Sequence, residues 1–268
     1  MTVEVLVLAS GSSGNAAVVR SGGTAILVDA GISATAIRRG LAAFGLEPGD
    51  LSAVLVSHEH SDHVRGLEVF LRRHGLPLWA TGGTGRHLTV EAPVRELVPG
   101  RPEAFGPIRV LPVPTSHDAA EPVAFVFDDG AHRVGFCTDT GIATALIRQR
   151  LARCHALLLE TNHDVDLLRH GPYPWALKQR IRSRHGHLSN EQAAELLAAV
   201  AWRGLRAVVG VHLSEKNNVP GLAREVLTAA APAGARVEAV PRGATLRLTL
   251  DDGGVAVEPG ARPSARRS

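Results

Sequence analysis

Three features that the sequence lacks narrow the class of this protein. The chain has 268 residues, and no stretch of it approaches the ~20 consecutive apolar residues of a membrane span. Its start, MTVEVLVLASGSSGN, has no basic leader and carries Glu4 inside the apolar run, which predicts a first β-strand and not a signal peptide. Cys137 and Cys154 belong to no CxxC pair and are expected to be small core residues. These absences predict a cytoplasmic protein without a membrane partner.

Acidic residues are also missing from one basic stretch. The formal net charge is +3 and the isoelectric point about 9.4, a mild excess that is compatible with a polyanionic partner. The segment LKQRIRSRHGH, residues 177–187, is expected either to contact a phosphate backbone or to form a solvated face. Its cations are Lys178, Arg180, Arg182 and Arg184. The basic end of the chain, residues 259–268, is predicted to be a disordered tail.

The pattern of apolar runs predicts a single domain over residues 1–258. One helix is expected at 189–202, because Ser189 and Gln192 form a capping-box pattern at its start. The other helices are expected at 32–44, 64–73, 143–151 and 222–230. Strands are expected at 3–8, 16–20, 24–28, 53–56, 108–113, 123–128, 133–137, 156–160, 206–211, 237–240 and 245–250. Two β-rich halves that carry helices predict an α/β layered fold, with two sheets packed together and helices outside.

The densest polar cluster is HEHSDH, residues 58–63, directly after the apolar run 53–56. In extended backbone, residues two apart point the same way, so His58 and His60 can approach one metal ion together. Asp62 and His63 follow where a helix is predicted to start, so they are expected to reach a neighbouring position. Imidazole and carboxylate suit Zn²⁺, Mn²⁺ or Fe. A polar turn in solvent is the alternative, but this ligand density after a core strand favours a metal site.

The cluster resembles the HxHxDH motif of the metallo-β-lactamase superfamily, whose fold is an αββα sandwich with a metal site at one edge of the sheets. The resemblance covers residues 3 to 250. The segments that match the family's other motifs follow in the same order, namely ILVDAG, PTSHDAAEP, GFCTDTG and GVHLSEKNN. The resemblance implies two divalent ions, Zn or Mn, with Fe as a further choice. The implied ligands are His58, His60 and His117 for one ion, Asp62, His63 and His212 for the other, and Asp139 between them, while Asp29 orients the metal loop.

Two further segments favour phosphodiester chemistry. LLLETNHD places Glu160 at the end of a strand, and GHLSN places His187 before a helix. In the tRNA-processing phosphodiesterases of this superfamily, a glutamate and a histidine at similar stations form a dyad that protonates the leaving oxygen. Because phosphodiester cleavage needs a general acid, Asp62, Glu160 and His187 are the predicted catalytic residues. The alternatives are a structural strand-end acid for Glu160 and a helix cap for the GHLSN turn.

Five separated segments resemble, in order, a narrower group, the YycJ/WalJ-type nucleases of bacteria: LASGSSGNA, LLLETNHD, GPYPWALKQRI, GHLSN and HLSEKNN. This resemblance implies a 5′-to-3′ DNA exonuclease that uses a metal-bridging hydroxide as its nucleophile. The GSSGN turn is expected to add phosphate contacts through Ser12, Ser13 and Asn15.

Other functions remain open at this point. A phosphodiesterase for a small cyclic nucleotide and an RNA-processing nuclease would use the same chemistry. A nucleic-acid-binding or signalling protein with a vestigial site would not use this chemistry. The presence of a suitable residue at every expected ligand position argues against that alternative. The sequence favours DNA over RNA through the resemblance alone, and it leaves the metal identity and the oligomeric state undecided.

Overall fold

The structure, a computed structural model, describes residues 2–260. Its strands are β1 (Val3–Ala9), β2 (Ala16–Ser21), β3 (Thr24–Val28), β4 (Ala53–Leu55), β5 (Leu78–Ala80), β6 (Val94–Glu96), β7 (Glu103–Phe105), β8 (Ile108–Pro114), β9 (Val123–Asp128), β10 (Arg133–Cys137), β11 (Ala156–Glu160), β12 (Ala207–Val211), β13 (Arg236–Ala239), β14 (Leu246–Asp251) and β15 (Gly254–Pro259). Its helices are α1 (Ala34–Ala43), α2 (Ser61–Val64), α3 (Leu67–His74), α4 (Gly82–Gly85), α5 (Ala145–Leu151), α6 (Val165–His170), α7 (Trp175–Ile181), α8 (Asn190–Val200) and α9 (Pro220–Ala230), and a 3₁₀ turn covers Pro48–Asp50.

The strands of this range form two mixed sheets that pack face to face. Their strand orders are β15-β14-β1-β2-β3-β4-β5-β6 and β13-β12-β11-β10-β9-β8-β7. Side chains such as Leu55, Phe125 and Leu158 fill the space between the sheets. A second apolar cluster joins the first sheet to α1 and α3, and a third joins the second sheet to α5, α8 and α9. The predicted αββα sandwich is therefore confirmed.

Parallel pairing brings several loops to one edge of the two sheets. Strand β3 runs parallel to β4 in the first sheet, and β10, β11 and β12 run parallel in the second. The carboxyl ends of parallel strands lie at the same edge, where α/β proteins bind ligands. The polar residues that end or follow these strands are Asp29, His58, Asp139, Glu160 and His212.

One predicted helix is two helices in the structure. The pattern predicted a continuous helix over 64–73, whereas α2 ends at Val64 and α3 begins at Leu67. The break lies at Gly66, whose N–H donates to the Ala30 carbonyl at 2.8 Å. A Cβ at this position would lie 1.9 Å from the Ile32 carbonyl oxygen, so only glycine permits this approach of two backbones. The contact ties the metal-loop helix to the segment that follows β3.

Several short elements were not predicted, namely β5, β6, β7, β15, α4, α6 and α7. They are three to seven residues long, too short for a clear period in the apolar pattern. The capping box of α8 is confirmed, since Ser189 and Gln192 bond each other's backbone N–H. Both cysteines are buried, and both belong to the third cluster, as expected.

The predicted start of the tail, residue 259, is wrong. Pro259 belongs to β15 and pairs with Leu246, and the Gly260 N–H donates to the Thr245 carbonyl at 2.8 Å. The sequence pattern missed this strand because GVAVEP has only two large apolar residues and is bounded by glycine and proline. The rest of the predicted tail, 261–268, lies outside the described residues. Among the helices of residues 2–260, none is both long and apolar enough to cross a membrane.

Candidate metal centre

Asp29 holds the loop that follows β4. Its buried carboxylate accepts the Ser57 backbone N–H at 2.8 Å and the Ser57 hydroxyl at 2.9 Å. It also accepts the Nδ1–H of His63 at 2.7 Å. Three hydrogen bonds from two residues of one loop fix the loop against the end of β3.

Three residues at this edge have left-handed backbone although none is glycine. The φ angles are 60° for Asp29, 57° for Asp139 and 57° for His212. Such conformations cost about 1–3 kcal/mol each and concentrate at functional sites, where the surrounding structure holds them. Asp29 and His212 directly follow buried strands, and Asp139 follows one after a single residue.

A first group of three histidines presents one free nitrogen each. His60 Nε2–H donates to the Asp118 carbonyl at 3.2 Å, and His117 Nδ1–H donates to the Gly186 carbonyl at 3.0 Å. Carbonyl oxygens only accept, so these bonds assign the tautomers. They leave His60 Nδ1 and His117 Nε2 as acceptors, and the two nitrogens face each other at 3.3 Å. Two facing lone pairs repel unless a proton or a cation lies between them.

His58 completes this group. The Ser57 hydroxyl donates to Asp29, so it accepts the Nδ1–H of His58 at 3.0 Å. The remaining nitrogen, His58 Nε2, is buried without a hydrogen-bond partner. Metal-binding histidines characteristically donate their other N–H to a neighbouring oxygen, and each histidine of this group does so. The ligand atoms of His58, His60 and His117 all lie within 4.8 Å of one another.

A second group consists of Asp62, His63 and His212. Asp62 Oδ2 lies 3.4 Å from His212 Nε2 and 3.6 Å from His63 Nε2. The other nitrogens are again occupied, because His63 Nδ1–H bonds Asp29 and His212 Nδ1–H bonds Glu160 at 2.8 Å. The three ligand atoms lie within 4.8 Å of one another.

Asp139 lies between the two groups. Its Oδ2 is 3.3 Å from His63 Nε2, and its Oδ1 is 3.9 Å from His117 Nε2. The side chain is buried, and Oδ2 has no hydrogen-bond partner. A buried carboxylate oxygen without a donor is costly unless it binds a cation. The donor set, with its unpartnered His58 Nε2 and Asp139 Oδ2, therefore fits divalent metal binding.

The pKa values of the site's own side chains show how strongly these acids attract positive charge. Burial lowers the pKa of His63, but the Asp29 and Asp139 carboxylates outweigh it and raise that pKa to about 10. Burial likewise lowers the pKa of His212, but Asp139, Asp62 and Glu160 raise it well above its ordinary value. Burial raises the pKa of Asp139, but His212 and His63 hold it well below its usual range. The carboxylates thus stay ionised, and cations neutralise them.

Glu160 connects two histidines that the sequence did not link. Its Oε1 accepts the Nδ1–H of both His187 and His212 at 2.8 Å. Its Oε2 accepts the backbone N–H of Thr140 at 3.2 Å and of Leu188 at 3.1 Å. Burial raises the pKa of Glu160, but His187 and His212 lower it to about 2. For His187 the opposing effects of burial and of Glu160 leave the pKa raised.

A pocket of about 230 Å³ opens onto these groups. His187 lines it with one fifth of its side chain exposed. The pocket also collects residues that the sequence analysis missed, such as Asp118, Asn162, Tyr173 and Ser214. The one sequence signal that could have indicated Asp118 was its position directly after His117. Tyr173 lies in a segment that carried a resemblance but no chemical pattern.

The GSSGN turn divides into two parts in the structure. Ser12 and Ser13 are exposed, and Ser12 lines the pocket. Asn15 is buried, its Oδ1 accepts the Gly11 N–H at 2.9 Å, and its Nδ2 lies 3.1 Å from His63 Nε2. Asn15 therefore packs against the loop that carries His63, and its predicted contact with substrate stays a prediction. The residue pattern of a five-residue turn could not show that its last side chain points inward.

The four cations of the basic run face different directions. Arg180 lines the pocket, and its Nε donates to Asp118 Oδ2 at 2.6 Å. Lys178 Nζ donates to the carbonyls of Arg169 and Gly171 instead. Arg182 and Arg184 are exposed and do not line the pocket. Of the four cations only Arg180 lines the pocket, because residues two apart along a helix point to different sides. Substrate contact by the other three stays a prediction.

An αββα sandwich with two adjoining His/Asp groups at its strand ends defines a metallohydrolase class. Residues 24–213 match the family model described as a β-lactamase superfamily domain, and the chain belongs to that superfamily. The predicted resemblance is thereby confirmed.

Named relatives narrow the comparison. The chain is 38% identical over 230 residues to exodeoxyribonuclease YycJ of Bacillus anthracis, with 84% of this chain and 87% of the relative covered. It is 35% identical over 225 residues to exodeoxyribonuclease WalJ of Streptococcus pneumoniae, with 81% and 84% covered. The crystal structure of the metallo-β-lactamase fold protein YhfI of Bacillus subtilis aligns with a TM-score of 0.72 at 17% identity, covering 92% of this chain and all of that one. The last likeness concerns the fold alone.

Proposed function

We propose that this protein is a metal-dependent exonuclease that degrades DNA in the 5′-to-3′ direction. The two relatives above are named exodeoxyribonucleases and cover more than four fifths of the chain. The observation that carries the proposal is the hydrogen bond between His187 and Glu160, which stands in the same pocket as the metal-ligand groups. A positioned histidine can protonate the leaving oxygen of a phosphodiester.

In the proposed site, His58, His60 and His117 would hold one divalent ion, and Asp62, His63 and His212 would hold a second. Asp139, between the two groups, would be available to either. Nitrogen and carboxylate donors without a thiolate fit Zn²⁺ or Mn²⁺, and also Fe. When bound, such ions lower the pKa of water and offset the negative charge of a phosphodiester.

The chain's own residues are assigned to hold and move protons. Glu160 fixes the ring of His187 through Nδ1–H, and the raised pKa of His187 increases the fraction of rings that carry a second proton on Nε2. That proton goes to the leaving oxygen. The contacts of Asp62 with His63 and His212 all use Oδ2, so Oδ1 is assigned to accept a hydrogen bond from the attacking water.

Arg180 and Ser12 are assigned to flanking phosphates. The Asp118 carboxylate bonds Arg180 through Nε, which leaves the two terminal nitrogens of the guanidinium for a phosphate. More than half of the Arg180 side chain is exposed, at 56%, so the group reaches the rim of the pocket. Asp118 itself is assigned to position Arg180.

The decisive experiment uses DNA and RNA of identical sequence, labelled at either end, in single- and double-stranded form. The metal-loaded protein is expected to release mononucleotides from the 5′ end of DNA, and more slowly from RNA. Asp139→Asn is the matched control, because it keeps the shape of the side chain but removes its charge. Release of long internal fragments, or products that persist undiminished in Asp139→Asn, would overturn the proposal.

The second candidate is a phosphodiesterase for a small cyclic nucleotide, because the metal-ligand groups and His187 lie in one pocket. The pocket volume of about 230 Å³ lies below the ~300–1,000 Å³ of sites that enclose whole drug-sized ligands, which favours the polynucleotide. A small substrate touches few cationic groups, so its KM would hardly depend on salt. A polynucleotide that touches several cations would bind with a steep salt dependence.

A further inference from the structure

One wall of the pocket carries the only tyrosine of the chain. Tyr173, Leu177, Arg180 and Ile181 all line the pocket. Leu177, Arg180 and Ile181, at i, i+3 and i+4, share one face of α7. Tyr173 precedes the first residue of α7 by two positions, beyond the extended backbone of Pro174, so it lines the pocket from the loop before the helix.

Tyr173, Leu177 and Ile181 give this wall an apolar part beside Arg180, whereas the rest of the pocket is mostly polar. Ser12, Asn162 and Ser214 line the pocket as well, together with the ligand histidines and aspartates. Tyr173 and Leu177 are only half-buried, so they do not belong to a core. Within residues 2–260 the Tyr173 ring makes no ring contact, and its hydroxyl makes no hydrogen bond. No aromatic or hydrogen-bonding partner among these residues therefore occupies the ring, which lines the pocket.

The dimensions and charges around Tyr173 suit one nucleotide. The pocket volume of about 230 Å³ has room for a single residue of a strand, and the exposed Arg180 marks where the strand leaves it. The metal-ligand groups lie at the polar side, where a phosphate belongs. What remains for the wall is the flat, apolar part of the nucleotide, which is its base.

We infer that Tyr173 is a stacking platform for the unpaired terminal base of the strand, an inference that rests on the proposed nuclease function. Every base has a π-face, so such a platform accepts any sequence. A paired end would first have to unstack and open, which costs a few kcal/mol per base in enzymes that extrude one. The protein therefore takes single-stranded or frayed ends in preference to blunt ones.

The test compares oligonucleotides that carry either a normal or an abasic residue at the terminus, in separate substrates for each end. Tyr173→Ala removes the ring, and Tyr173→Phe keeps it without the hydroxyl. Trp175→Ala is the matched control, because Trp175 is an aromatic residue two positions away that is 64% exposed and does not line the pocket. The quantity measured is the ratio of kcat/KM for the normal substrate to that for the abasic one.

Base–aromatic stacking corresponds to a ratio of roughly 5-fold to 150-fold, and we expect a ratio in that range for the parent protein, for Tyr173→Phe and for Trp175→Ala. In Tyr173→Ala the ratio is expected to fall towards one. A terminal 2-aminopurine, whose fluorescence is quenched by stacking, should also be quenched by His187→Ala protein and not by the double variant with Tyr173→Ala. This binding measurement does not depend on turnover.

The outcomes separate the inference from the proposed function. If Tyr173→Ala keeps the ratio of the parent, or if Trp175→Ala loses it equally, the platform is wrong while the nuclease stands. If the metal-loaded parent cleaves neither oligonucleotide nor bis(p-nitrophenyl) phosphate, the proposed function itself is wrong. Should Tyr173→Ala fold poorly by circular dichroism, Tyr173→Leu replaces it, because leucine fills the space without a π-face.

Discussion

Glu160→Gln tests how the metal-ligand groups and the proposed acid are coupled. Glutamine has the shape of glutamate, but its amide nitrogen donates and cannot accept. At Glu160 one oxygen faces the N–H groups of His187 and His212, and the other faces two backbone N–H groups. In either orientation the NH₂ group of the amide faces two N–H donors and cannot accept a hydrogen bond from them. Two of the four hydrogen bonds are therefore lost.

The magnitudes follow from these contacts. Loss of the oxygen that orients a ligand histidine typically weakens metal affinity by about 10–100-fold. His212 loses this oxygen in one orientation of the amide, and in either orientation the site loses the negative charge of Glu160. Loss of a positioned general acid lowers turnover by roughly 10²–10⁴-fold. Two hydrogen bonds to a charged group contribute roughly 3–6 kcal/mol to the free energy of unfolding. This contribution lies below, or near the lower end of, the ~5–15 kcal/mol that stabilises a typical domain. The variant should therefore be studied metal-loaded, where it is expected to stay folded.

The assay pairs Glu160→Gln with His187→Ala. Metal affinity is measured by competition with a chromophoric chelator, and turnover by release of mononucleotides at saturating metal. His187→Ala should lower turnover with an unchanged affinity, because His212 keeps its bond to Glu160. Bis(p-nitrophenyl) phosphate, which has a good leaving group, should lose less turnover than DNA in that variant. The reasoning is refuted if Glu160→Gln keeps the parental metal affinity, or if His187→Ala slows both substrates equally.

Three further outcomes are expected. Because the pKa of His63 is raised to about 10 in the metal-free fold, binding an ion near pH 7 must expel that proton. Affinity should then rise as pH increases towards 10, and calorimetry in buffers of different ionisation enthalpy should detect proton release. If the calorimetry detects no release of protons when the ion binds, this expectation is contradicted. Arg180→Gln should flatten the log–log salt dependence of single-strand binding by about 0.7, whereas Arg182→Gln, which lies off the pocket, should not; equal slopes in both variants would remove Arg180 from the substrate path. Chelation of an ion held at 100 times its Kd removes about 2.7 kcal/mol and should lower Tm by roughly 5–10 °C, as read by calorimetry, and an unchanged Tm would mean that no ion is bound.

The positions of the candidate metal ligands could be predicted from the sequence because each depends on a strand end. His58, Asp139 and His212 directly follow or closely follow buried apolar runs, and parallel pairing brings such ends to one edge. A run of four or five apolar residues is visible in the sequence without knowledge of the fold. The order of the segments then carries the resemblance that supplies the rest of the set.

The orientation of individual side chains could not be predicted in the same way. Asn15 and Ser12 belong to one five-residue turn, yet one is buried against His63 and the other faces the pocket. Arg180 and Arg182 belong to one basic run, yet only Arg180 pairs with Asp118. In both cases the deciding contact comes from a residue more than forty positions away in the chain. Local pattern holds no information about such a partner.

The connection between β11 and α8 explains why the metal ligands alone do not determine the substrate. The ligand groups come from the loops at the strand ends, whereas His187, Tyr173 and Arg180 all come from residues 161–189. This segment crosses the open face of the centre, and it returns to the sheet through the hydrogen bonds from His187 and the Leu188 amide to Glu160. A protein with the same sheets and the same ligands, but another connection, would present other groups to the phosphate and another wall to its substituent. The choice of substrate is therefore expected to change with this segment, and grafting the connection of a relative that prefers another diester should change specificity while the metal affinity stays the same.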